Sequence, residues 1–176
     1  MVQPKVVPKV TAGPAAATEP TNAAAAAVPP GSAEARWLSL QGMLSILLVV
    51  RMAGALLAPI MDCDETFNYL EPVHYLVRGS GMQTWEYSPQ YALRSYALIE
   101  LYALPVRLAQ GVLGLDKVRT FYFLRGCLGA FSAICEAFFC DALQRRASPM
   151  VGALTFCFMA SASGMFHASV ATLPST

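Results

Sequence analysis

Residues 38–60 read LSLQGMLSILLVVRMAGALLAPI, a run whose only charge is Arg51. An α-helix needs roughly 20 predominantly apolar residues to cross ~30 Å of hydrocarbon, and this run supplies them. The same arithmetic holds for the whole chain of 176 residues: 56% are hydrophobic and 13% charged, against roughly 45–50% and 25% in globular domains. The first 35 residues contribute 11 Ala and 6 Pro and little that builds a core, so the apolar excess sits in the remainder. An ordinary soluble enzyme and a wholly disordered chain are both excluded. The expected class is all-α and polytopic in a membrane. Twelve Lys and Arg against eleven Asp and Glu leave no basic surplus for phosphates, so nucleic acid is not an expected partner.

Upstream of the run, residues 1–36 are rich in Ala and Pro and read as a disordered tail. The apolar stretch starts only after Arg36, which argues against a cleavable signal peptide. Downstream, Asp62, Asp64 and Glu65 follow the run. Basic before and acidic after predicts a cytosolic N-terminus. Two further spans are expected at about 120–143 and 150–171, joined by a tight hairpin at Arg145-Arg146. Arg51, Arg125 and Glu136 are costly inside a membrane and must face protein or water, which suggests missing partners. Gly126 and Ala130 have the small-xxx-small spacing of close helix contacts. The five cysteines form no CxxC pair and read as small buried hydrophobes.

The connection 61–119 is not membranous throughout. Residues 63–78 predict a short helix bent near Pro72. Residues 91–115 are apolar but carry Arg94, Glu100, Arg107 and Pro105. If this segment spans, Arg145-Arg146 falls on the wrong side of the positive-inside rule, so an interfacial helix is expected, although Lys117 and Arg119 then weigh against it.

Ionisable residues concentrate at 62–71. Asp62 and Glu65 fit a capping box with Asp62 as N-cap. Asp64 is left over, and at helical spacing it shares a polar stripe with Asn68, Glu71 and Tyr75. Such a stripe at a water–lipid boundary suits a general base acting on a sugar hydroxyl. Alternatively, Asp62 and Asp64 hold a hard divalent cation, a weaker reading. His74 reads as structural. Trp85-Glu86-Tyr87 reads either as an interfacial anchor or as the wall of a sugar site.

The string Asp62-Cys63-Asp64-Glu65-Thr66-Phe67-Asn68-Tyr69-Leu70-Glu71, followed by Thr84-Trp85-Glu86-Tyr87-Ser88-Pro89, resembles the first luminal loop of glycosyltransferase family 22, and within it the alpha-1,2-mannosyltransferases that extend lipid-linked oligosaccharides. The likeness runs over about 37–176, through Phe121 to Arg125 and into Leu173-Pro174-Ser175. It implies the N-terminal part of a C-type glycosyltransferase fold in the endoplasmic-reticulum membrane, with 61–119 luminal and helical. It also implies dolichyl-phosphate mannose as donor, a dolichyl-diphosphate-linked oligosaccharide as acceptor, membrane lipids as surroundings, and no metal or other cofactor. By position, Asp64 would be the catalytic base of an inverting displacement and Glu65 its catalytic neighbour. Asn68, Glu71, Trp85 and Tyr87 would bind substrate. Family members are longer, so the chain reads as a truncated part with phosphate-binding residues beyond 176. Two readings compete: a non-catalytic membrane protein that associates with other subunits or lipids, and a small transporter. The transporter is disfavoured because the carboxylates lie outside the spans.

Overall fold

The computed structural model describes residues 36–173, so the tail expected over 1–36 lies outside the described residues except for Arg36. Among the described residues there is no strand. The helices are α1 (Leu40–Leu57), α2 (Cys63–Glu65), α3 (Glu71–Arg78), α4 (Tyr96–Gly111), α5 (Lys117–Arg146), α6 (Pro149–Ser161) and α7 (Ser163–Ala168). A π-helical turn, Thr66–Leu70, joins α2 to α3, and a 3-10 turn covers Trp85–Tyr87.

Caps explain where the long helices begin and stop. The Ser39 side chain accepts from the Gly42 N–H at 3.1 Å and starts α1. The helix ends at Leu57 because Ala58 precedes Pro59 and is driven to an extended conformation, ψ 127°. Asp116 caps α5 through the Arg119 N–H at 2.8 Å, and Ser148 caps α6 through the Val151 N–H at 3.1 Å. Arg145 and Arg146 in the last turn of α5 complement its dipole.

Two helices, α1 and α5, are long and apolar enough to cross a membrane. At 1.5 Å per residue they measure about 27 and 45 Å. The span expected over 150–171 is not one helix. The chain breaks at Ala162, which is extended (ψ 123°), and α6 at 13 residues reaches only about 20 Å. The break leaves the Met159 carbonyl without a helical donor, and the Arg51 side chain supplies one at 2.7 Å.

α1 and α6 both pack on α5. Met43, Leu47, Ala133, Ala137, Cys140 and Phe156 form the shared core. Small residues on α5 permit the approach, but on a neighbouring face to the one expected. A Cβ on Gly126 would meet only Met52 Sδ at 3.9 Å, whereas one on Gly129 would lie 3.2 Å from the Arg51 carbonyl oxygen. Gly129 and Ala133 are buried and supply the close contact.

Arg51 has a charge partner within the bundle. It is 0% exposed, and its Nε and Nη2 donate to the two Glu136 carboxylate oxygens at 3.1 and 2.6 Å. Ser132 Oγ donates to Glu136 as well, at 2.6 Å. Arg125 is buried with its guanidinium 5.3 Å from the Phe121 ring centre and within 3.5 Å of the Gly54 carbonyl. Arg51 and Glu136, 85 residues apart in sequence, thus neutralise each other, while Arg51 Nη1 and Arg125 Nε are buried without a partner among the described residues.

At the far end of this bundle, Arg36 pairs with Asp141, which also binds Arg145 at 2.5 Å. The Trp37 N–H donates to Gln144 at 3.1 Å. Cysteine burial also departs from expectation: only Cys140 is buried, while Cys63, Cys135 and Cys157 are exposed. Large apolar side chains such as Val49, Phe131 and Phe158 share that outward orientation. In a water-soluble domain such a surface would be an association patch.

A second core, Tyr69, Val73, Tyr87, Ile99, Ala103, Val106 and Leu124, seats α3, the 3-10 turn and α4 on the start of α5. The interfacial helix expected over 91–115 is helical only from Tyr96 to Gly111, starting at a Ser95 cap.

Candidate active site

The residues 62–71 begin as the capping reading expects. Asp62 Oδ1 accepts from the Asp64 N–H at 2.9 Å, although Glu65 makes no reciprocal contact with the cap. The helix then departs from 3.6 periodicity. Pro72 has no N–H, so the Asn68 carbonyl one turn earlier loses its usual donor. The Glu71 N–H reaches back to Thr66 instead, which makes the turn π-helical. Tyr87 satisfies the freed carbonyl: its buried hydroxyl donates to Asn68 O at 2.6 Å. Burial pushes the Tyr87 hydroxyl up to about 12, so it stays protonated and donating at neutral pH.

The extra residue in the turn divides the expected polar stripe. Asp64 and Asn68 stay together, whereas Glu71 turns toward the 79–82 loop, where it accepts from the Met82 N–H at 3.3 Å. His74 Nδ1 donates to the Ser80 carbonyl at 2.9 Å, a structural role. Gly81, at φ 150°, fits beneath them; a Cβ there would lie 3.4 Å from both Glu71 Oε2 and His74 Nδ1.

Asp64 and Glu65 point opposite ways. Glu65 is 5% exposed and accepts from the Thr172 N–H at 3.0 Å and the Thr172 hydroxyl at 3.4 Å, so it is committed to the interior. Its partner Thr172 lies on the interior side, so the two adjacent carboxylates, expected as a catalytic pair, have different surroundings: Glu65 buried and hydrogen-bonded, Asp64 open. Asp64 is exposed, and among the described residues its carboxylate accepts no hydrogen bond.

Asp64 opens onto a cleft of about 290 Å³. Asn68 and Trp85, both anticipated, line it, together with Glu86 of the Trp85-Glu86-Tyr87 run and with Phe67, Met82 and Thr84, which carried no such expectation. Tyr87, expected to bind substrate, instead lies buried beneath the cleft and supports the π turn; Glu71, with the same expectation, holds the neighbouring loop. Glu86 had a legible signal: Arg94 follows it by eight residues in a loop with few charges. Arg94 Nε donates to Glu86 Oε2, while Nη1 donates to the Tyr69 hydroxyl at 2.7 Å. The Glu86 hydrogen bond holds the Arg94 guanidinium even more firmly charged than usual. Asn68 Oδ1 and Thr84 Oγ1 are buried without a partner among the described residues.

Among the described residues, Asp62, Cys63 and Asp64 could hold a metal: their ligand atoms lie within 4.8 Å of one another, all exposed. Two carboxylates and a thiol are a mixed donor set: Mg²⁺ and Ca²⁺ take oxygen ligands, and thiolate suits softer ions. The arrangement is better equipped to accept a proton at Asp64 than to build an oxygen cage.

Comparison with known proteins places the chain in a family. The sequence model of the Alg9-like mannosyltransferase family matches residues 43–176. The chain is 48% identical over 130 residues to alpha-1,2-mannosyltransferase ALG9 of Homo sapiens, covering 74% of this chain and 21% of the relative. It is 48% identical over 132 residues to alpha-1,2-mannosyltransferase alg9 of Schizosaccharomyces pombe, covering 75% and 23%. It is 38% identical over 136 residues to alpha-1,2-mannosyltransferase ALG9 of Saccharomyces cerevisiae, covering 75% and 24%. The chain thus spans about a fifth to a quarter of the length of these curated relatives. No solved structure matches it. The matched region takes in α1 from Met43 onward, the Asp64 cleft and the α5–α6 hairpin, and on that extent of likeness the chain belongs to the Alg9-like mannosyltransferase family.

Proposed function

We propose that this chain carries the base-bearing part of an enzyme that moves mannose from dolichyl-phosphate mannose to a dolichyl-diphosphate-linked oligosaccharide. The bond formed is alpha-1,2, in the assembly of the glycan used for protein N-glycosylation. The observation that carries the reading is the placement of Asp64: an uncommitted carboxylate at the mouth of a cleft, beside a buried carboxylate that accepts from Thr172.

The chemistry follows from that placement. The Asp64 carboxylate takes the proton of the acceptor's 2-hydroxyl as its oxygen attacks the anomeric carbon of the donor mannose. The bond to the phosphate breaks with its electrons, and dolichyl phosphate leaves from the opposite face. A beta-linked donor thereby gives an alpha-linked product. The base and the phosphate's own leaving ability suffice, so the reading involves no metal.

The setting is a C-type glycosyltransferase fold in the endoplasmic-reticulum membrane, multi-pass, with the start of α1 cytosolic and the connection between α1 and α5 in the lumen. α4 lies along the luminal surface. Leu101, Leu104 and Leu108 leave one side of it exposed and apolar, while Glu100 and Arg107 pair on its surface at 2.7 Å. That position keeps the cleft at the level of lipid headgroups, where a lipid-anchored donor delivers its sugar.

The test is mannose transfer by the full-length protein in membranes, with donor and acceptor supplied. Asp64→Asn is expected to reduce transfer roughly 10²- to 10⁴-fold at unchanged protein level. Undiminished transfer would overturn the base assignment.

A further inference from the structure

Resting on the transfer reading above, we propose that Glu86, held by Arg94, and the Trp85 ring form the subsite that grips the acceptor's terminal mannose. In this arrangement Glu86 reads a hydroxyl adjacent to the one Asp64 deprotonates. Four observations converge on it.

The Glu86 carboxylate is fixed before any ligand arrives. Arg94 Nε occupies Oε2, and the Glu86 carbonyl accepts from the Leu93 and Arg94 N–H groups at 3.0 and 3.2 Å. Arg94 is itself held by the Tyr69 hydroxyl and lies 5.5 Å from the centre of the Tyr69 ring. Glu86 Oε1 makes no hydrogen bond among the described residues, so a charged acceptor is oriented and available. Hydrogen bonds to such a group are stronger than neutral ones and specific in direction.

Trp85 is 60% exposed on the same cleft, and its ring is braced edge-on by Tyr91 at 5.2 Å. An indole left in the open beside an oriented carboxylate suits a pyranose, which has an apolar C–H face and a polar rim. The cleft, about 290 Å³, has room for a sugar ring beside these groups. The unpaired Asn68 Oδ1 and Thr84 Oγ1 belong to the same wall and supply further groups for hydroxyls once a ligand displaces the local packing. The acceptor sugar, not the donor sugar, belongs here, because the base must touch the acceptor and Glu86 shares the base's cleft.

The chain has two tryptophans, and Trp37 packs 6.0 Å from Phe156 on the bundle helices. In a Trp37→Phe background Trp85 is the sole indole, and its fluorescence reports the cleft directly, without requiring turnover. Titration of the full chain with methyl α-mannoside or mannobiose is expected to give saturable quenching. Glu86→Gln is expected to weaken that binding about tenfold or more, and Thr84→Val by a smaller factor. In transfer assays of the full-length protein Glu86→Gln should raise the acceptor KM about as much, with the donor KM unmoved. Quenching by mannosyl phosphate but not by mannosides would overturn the acceptor assignment. So would equal mannoside affinity in Glu86→Gln and Thr84→Val. Asp64→Asn should retain quenching, so failure of the base reading and failure of this subsite are distinguishable.

Discussion

Two arginine–carboxylate pairs divide this molecule by use. Arg51 and Glu136 sit between α1 and α5, out of contact with solvent, and both carboxylate oxygens, two guanidinium nitrogens, a serine hydroxyl and a helix-end carbonyl are engaged. Arg94 and Glu86 sit in the connection between those helices, half-buried, with one carboxylate oxygen left over. The first pair holds helices together, with Arg51 Nη1 the one nitrogen left without a partner among the described residues. The second is oriented but unfinished, and Asp64 across the cleft is less finished still. In a chain with eleven acids, the partners a carboxylate already has separate architecture from chemistry. A buried pair returns little net stability for its desolvation, but removing half of it is severe.

The strongest way to break this comparison is at the Asp64–Glu65 junction, where it predicts opposite phenotypes for adjacent residues. Asp64→Asn should cost activity and leave the melting temperature alone. Glu65→Ala should do the reverse, losing about 1–3 kcal/mol as the buried Thr172 N–H and hydroxyl lose their acceptor, read by thermal unfolding in detergent. If Glu65→Ala melts normally, the division fails where it matters most. Next comes Arg51→Met, which strands Glu136 in the bundle at about 3–5 kcal/mol. The double change Arg51→Met with Glu136→Leu should recover most of that loss. A double variant no better than the single would show that the pair does more than neutralise itself. In order of free energy Arg51→Met is the largest stability effect; for activity Asp64→Asn is.

Tyr87→Phe sharpens the comparison at smaller scale, because Tyr87 serves architecture from beneath the cleft. It should cost about 1–3 kcal/mol by leaving the Asn68 carbonyl unsatisfied. The hydroxyl's value is raised from 10.0 to about 12 on folding by burial. Its contribution is therefore complete below pH 10 and declines as pH rises from 10 to 12, since the unfolded chain releases that proton first. Ultraviolet titration should show a late-ionising tyrosine that the Phe variant lacks. The smallest expected effect is Glu100→Gln. Its pair with Arg107 is about half exposed on both sides, and such pairs contribute roughly 0–1 kcal/mol.

How much of this was legible in the sequence follows from the range of each interaction. Ser39, Asp116 and Ser148 are local caps, and Pro59 stops α1 locally, so helix positions could be read within a few residues. The break within 150–171 was not legible because hydropathy is continuous there while the helix is not: at Ala162 the chain turns extended, and the Met159 carbonyl is taken up by Arg51, more than a hundred residues earlier. Pro72 announced a bend. It did not announce a π turn, since the freed Asn68 carbonyl finds its donor 19 residues on, at Tyr87. That single inserted residue is why Glu71 left the stripe that helical spacing assigned it. Cysteine burial misled for another reason. Apolar composition signals an inward face in water, but a bilayer accepts apolar residues on the outside as well.

The bond from Glu65 to Thr172 has a consequence in time. Its two ends are 107 residues apart, and at ~5–20 residues per second a ribosome needs roughly 5–20 s to make that length. Throughout that interval the helix bearing Asp64 has been synthesised while the group that anchors its inner face has not. The cleft is therefore assembled late, only after α5, α6 and α7 have been delivered, and its inner wall waits on the arrival of a threonine.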